Sequence, residues 1–62
     1  MQENPKFQQI IKTGKALFWK FGVRRVSIEE ICREASVSKV TFYKHFKNKV
    51  ELAKYILETT FN

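Results

Sequence analysis

Residues 27–48 read SIEEICREASVSKVTFYKHFKN, and this stretch decides the fold. Ser27-Ile28-Glu29-Glu30 has the form of a capping box: the Ser27 hydroxyl accepts from the Glu30 N–H while the Glu30 carboxylate reaches back to the Ser27 N–H. Val26 before the cap and Ile31 after it suit a hydrophobic staple. Ile28, Ile31, Cys32 and Ala35 then fall on one face of a short helix. Glu29, Glu30 and Glu34 occupy the rest of its surface with only Arg33 against them, and carboxylates suit a helix N-terminus. Ser36-Val37-Ser38 breaks the period after about eight helical residues. Ser38 can cap another helix that runs to about Phe46. Two short helices joined by a three-residue turn, behind a longer helix, make a helix-turn-helix.

On the N-terminal side, Phe7, Ile10, Ile11, Gly14, Leu17, Phe18 and Phe21 recur in steps of three and four. That spacing predicts a helix over about Pro5 to Phe21, with Asn4 as its cap and Gly22 as the residue past its end. A glycine in mid-helix costs roughly 1 kcal/mol relative to alanine, so Gly14 implies that another helix packs closely there. On the C-terminal side, Asn48 caps a fourth helix whose inner stripe is Leu52, Ala53, Ile56, Leu57 and Thr60. The fold class is therefore all-α: three helices with a helix-turn-helix, plus the start of a fourth, linking helix. No strand is needed.

Sixty-two residues make one domain, and at this size only roughly 60% of the unfolded chain's surface can be hidden. An apolar fraction of 44% is enough for a core, and no apolar run approaches a membrane span. One cysteine permits no internal disulfide. Cys32 continues the stripe of Ile28 and Ile31 and reads as a small core residue. With one His, one Cys and no Asp, neither a base–nucleophile pair nor a metal set can be assembled, so an enzyme is excluded and no cofactor is expected. Twelve Lys and Arg against six Glu leave a net charge of +6, which calls for a polyanionic partner.

The charge is not evenly spread. From Ser36 to Val50 there are four lysines, one histidine and no acid. At 100° per residue Phe42 and Phe46 lie together on the third helix, opposite Val40, Tyr43, Lys44 and Lys47. Two phenylalanines outweigh a valine and a tyrosine in transfer energy, so the Phe pair faces inward. The outer face then mixes cations, an aromatic ring and an aliphatic side chain, which suits phosphates and thymine methyls. The opposite orientation, with Val40 and Tyr43 in the core, stays open at this point.

Leu17-Phe18, then Gly22, Ser27, Ile31 and Ala35, then Val37-Ser38 and the run Thr41-Phe42-Tyr43-Lys44-His45-Phe46-Lys47-Asn48-Lys49 resemble the TetR-type repressor DNA-binding domain. The resemblance covers about residues 10 to 53. It implies a bacterial, cytoplasmic transcription regulator, a repressor acting as a homodimer on a palindromic double-stranded DNA operator. It implies that Phe42 is buried, that Tyr43 contacts the DNA backbone, and that Ser27, His45 and Lys49 lie near phosphates. The base-reading positions become Lys39, Val40, Thr41 and Lys44. Two residues depart from the family pattern: Ser36 stands where the turn usually holds Gly, and Val40 where a small residue is usual. The family continues into a domain that binds a small-molecule effector and dimerises. Residues 1–62 thus correspond to its DNA-binding domain alone, which is expected to be monomeric.

Several residues carry a plainer reading beside the functional one. Lys49 and Lys39 can be solvated lysines at helix starts, although a cation there opposes the macrodipole. Lys12, Lys15 and Lys20 fit a solvated face of the first helix, and Arg24 and Arg25 either contact phosphate or do not. Trp19 lies off the main stripe and packs either on the fourth helix or on a further domain. A basic helix bundle that binds acidic membrane surfaces or a protein partner is the alternative function, and the defined caps and turn argue against it.

Overall fold

The computed structural model describes residues 5–60, in which four helices follow one another and no strand occurs. Pro5 opens α1 (Pro5–Phe21), where its missing N–H forfeits no helical bond. Asn4, expected as the cap, and the side chain of Thr60 lie outside the described residues. Gly22 ends α1 with φ +88°, a conformation that favours glycine, and its N–H donates to the Phe18 carbonyl at 2.8 Å.

Helix α2 (Ile28–Ala35) begins with both bonds of the capping box. The Glu30 N–H donates to Ser27 Oγ at 3.1 Å, and the Ser27 N–H donates to Glu30 Oε1 at 3.3 Å. Val26 and Ile31, on either side of that cap, are both buried. The turn is made by Ser36 in the left-handed region, φ 59° and ψ 43°. The Val37 N–H donates to the Cys32 carbonyl at 3.0 Å and closes the helix end. Helix α3 (Lys39–His45) starts on Ser38, whose Oγ accepts from the Thr41 N–H at 3.1 Å. Helix α4 (Lys49–Thr60) starts on Asn48, whose Oδ1 accepts from the Glu51 N–H at 2.9 Å.

The core is built where the four stripes meet. Phe42, Ile10, Ile31, Leu52 and Val26 are the largest fully buried side chains, and burial of each stabilises the fold by roughly 1.5–3 kcal/mol. Gly14 is the point where α1 and α4 touch: a Cβ there would stand 2.8 Å from Leu52 Cδ2 and 3.5 Å from Ile56 Cδ1. Phe7 stacks on Phe46 at 5.6 Å, and Tyr55 meets both rings edge-on. That aromatic cluster ties the start of α1 and the end of α3 to α4. The fourth helix is thus a full member of the core, more than a linker.

Two expected core residues are outside it. Phe21 is 47% exposed because it is the last residue of α1 and runs past its neighbours, with the Lys20 ammonium over its ring at 5.4 Å. Leu57 is 49% exposed. The stripe of α4 is turned toward Tyr55, which is half-buried against Phe7 and Phe46, and so rotates Leu57 outward. Trp19 is 71% exposed and lines an apolar depression together with Ala53, Ile56 and Leu57. Among the described residues no helix is long and apolar enough to cross a membrane.

Candidate nucleic-acid interface

The orientation of α3 is settled by burial. Phe42 is fully buried and Phe46 nearly so, while Val40 is 68% and Tyr43 52% exposed. The helix can present that outer side because α1 and α2 hold it from behind, with the Ser36 turn setting its direction against α2. Lys44 and Val40 project from the outer surface of α3 and are exposed. Thr41 is half-buried, its hydroxyl accepting from Ser38 Oγ at 3.1 Å within the helix cap.

One shallow depression gathers Ser27, Lys39, Tyr43, Asn48 and Lys49, joining the starts of α2, α3 and α4. Three of the residues expected at phosphates therefore meet one of those expected to read bases. His45 is placed elsewhere: it is half-buried at the end of α3, edge-on to Phe7 at 5.1 Å, in a second depression with Lys47, Glu51 and Lys54. Arg24 and Arg25 are exposed in the loop between α1 and α2.

Two lysines of the first depression are already engaged. Lys49 Nζ donates to the Val26 carbonyl at 2.7 Å and to the Arg24 carbonyl at 3.3 Å. A cation at the first position of a helix is unfavourable with respect to the macrodipole, and the two carbonyls offset that. Lys39 Nζ lies 2.9 Å from Glu29 Oε2. The hydrogen bond and charge of Lys39 hold the Glu29 carboxyl below its usual range, and Glu29 in turn raises the Lys39 ammonium. Sequence reasoning missed Glu29 as a member of this surface. Its only signal was an acidic second helix beside an acid-free third.

The chemistry on offer is recognition. Burial pushes the Cys32 thiol up, which keeps it protonated in the core and away from nucleophilic work. Among the described residues no group of three or more His, Cys, Asp or Glu side chains is placed to hold a metal ion. What the surface presents is a short helix with cations, a phenol and an aliphatic side chain outward, flanked by two capped helix starts.

Comparison with known proteins agrees with that geometry. The family described as "Bacterial regulatory proteins, tetR family" matches residues 10–56. The chain is 45% identical over 53 residues to the transposon Tn10 TetC protein of Escherichia coli, covering 82% of this chain and 27% of that protein. It is 47% identical over 49 residues to the uncharacterized HTH-type transcriptional regulator YerO of Bacillus subtilis, covering 79% of this chain and 17% of that one. The HTH-type transcriptional regulator TtgR of Pseudomonas putida is 37% identical over 51 residues, with 82% and 24% covered. The chain thus spans about a quarter or less of the length of these relatives. No solved structure matches.

Proposed function

This chain belongs to the TetR family of bacterial regulatory proteins, and from that premise we propose that it reads an operator half-site by seating α3 in the major groove of DNA. The observation that carries the proposal is the orientation of α3: Phe42 is its anchor, and its opposite face is open and basic. Lys39, Val40, Thr41 and Lys44 are the side chains for base edges, and Ser27, Tyr43, His45 and Lys49 those for phosphates. Phosphate contacts set register and base contacts set discrimination.

Lys44 and Val40 support the reading most directly, being exposed. Tyr43 is presented beside Ser27 and Lys49, where a phosphate could accept from its hydroxyl. The parent protein we envisage is a cytoplasmic homodimer acting as a repressor on a palindromic operator. Its small-molecule effector binds in a domain beyond these residues. The role is binding, with no reaction catalysed.

Selection from a randomised duplex library, followed by titration of the enriched duplex, tests this. One enriched half-site motif, bound more weakly as salt rises, is the expected result. Enrichment of no motif, with all duplexes bound alike, would remove the base-reading assignment. Stronger saturation of anionic vesicles than of duplex would favour a membrane-surface role instead.

A further inference from the structure

Among the described residues lining the depression between α2, α3 and α4, Glu29 is the one carboxylate. The capping box does not need it, since Glu30 supplies the reciprocal bond. Its partner is Lys39, ten residues away across the turn at 2.9 Å, and the two side chains are 70% and 54% exposed. So exposed a pair adds little to folding, and a carboxylate facing DNA repels phosphates. Its effect is on what Lys39 is free to do.

A lysine on a four-carbon stem takes any phosphate within reach. With Glu29 beside it, a DNA acceptor must first displace the carboxylate. On a loosely seated helix a phosphate meets that ammonium through water and salt, where its attraction is screened. With the helix seated in the groove, a guanine edge sets O6 and N7 side by side within its reach. We propose that Glu29 is a positioning residue for DNA discrimination, which keeps the Lys39 ammonium off phosphates of ill-fitting sequences and yields it to a paired-acceptor base edge. The proposal rests on the major-groove reading of α3 given above.

The test compares the parent, Glu29→Gln, Lys39→Ala and the double variant. Each is titrated with the library-enriched duplex and with a scrambled duplex of equal length, over a series of salt concentrations. Glu29→Gln should bind the scrambled duplex about 3- to 10-fold more tightly, with a salt slope steeper by about 0.9 for the one further phosphate engaged. The preference for the enriched duplex should fall by a similar factor. In the Lys39→Ala background the same Gln substitution should tighten scrambled binding clearly less than in the parent, by relief of the carboxylate's own repulsion alone, since it then has no ammonium to hold. Equal tightening with and without Lys39 would mean plain repulsion and overturn the proposal, as would an unchanged slope and preference. A parent that binds neither duplex would overturn the DNA reading as well, and that failure shows before any variant is made.

Discussion

Lys49 has three N–H donors, and two of them are committed to the carbonyls of Val26 and Arg24. The remaining one is available to a phosphate beside Ser27. On the proposed reading the residue serves both the fold and the interface, and removing it should affect both. Lys49→Ala is expected to weaken binding to enriched and scrambled duplexes by similar factors and to lower the salt slope by about one unit. It should also lower stability by about 1 kcal/mol, since two charge-assisted bonds are lost at a half-exposed position. Thermal melts run beside the titrations separate the two effects, and an unchanged melt would leave only the phosphate role. The oddity of a lysine at a helix start was legible in the sequence; its cause was not, because Val26 lies 23 residues away. The pairing of Glu29 with Lys39 was hidden for the same reason: charge spacing along one helix says nothing about a partner on the next.

The orientation of α3 is the element on which the interface depends. Phe42→Ala should destabilise the domain by roughly 3–5 kcal/mol, whereas Tyr43→Ala should leave the melting temperature nearly unchanged. A parent-like melt for Phe42→Ala with collapse of Tyr43→Ala would mean that α3 is turned the other way. At the turn before it, Ser36 holds a left-handed conformation that glycine adopts more readily. Ser36→Gly should therefore raise stability by up to about 1 kcal/mol, read as a higher denaturant midpoint at unchanged slope. Helix boundaries were largely legible because they are written in local chemistry: Ser27 with Glu30, Ser38 with Thr41, Asn48 with Glu51, and Gly22. The limits of the core were less so. Phe21 and Leu57 keep the helical period, yet period alone does not say where a neighbouring helix ends or how Tyr55 turns the stripe of α4.

On the scale of the whole molecule, +6 charges on 62 residues favour any duplex before sequence is read. On the proposed reading one α3 covers one half-site, and a single unit makes only a handful of phosphate contacts. The isolated chain should therefore sediment as a monomer and bind a half-site with micromolar or poorer affinity at physiological salt. A dimerising coiled coil fused after Asn62 should raise affinity for a palindromic duplex by orders of magnitude while half-site affinity stays unchanged. A stable dimer of the unfused chain would reveal an interface of its own, with the apolar rim at Trp19 and Leu57 the first place to look. The basic charge and its concentration beyond Ser36 were plain in the sequence. That the positions expected at phosphates split between two depressions, Ser27, Tyr43 and Lys49 in one and His45 in the other, needed the packing of Phe7 against the end of α3.

The exposure of Trp19 has an optical consequence. The chain's one indole is already 71% in water when folded. Its emission should lie close to that of the unfolded chain, be quenched efficiently by acrylamide, and shift little across the melting transition. Far-ultraviolet circular dichroism, which reads the four helices, should show a full cooperative transition in the same sample. A marked red shift of the fluorescence at that temperature would mean that the indole is sheltered in the folded protein.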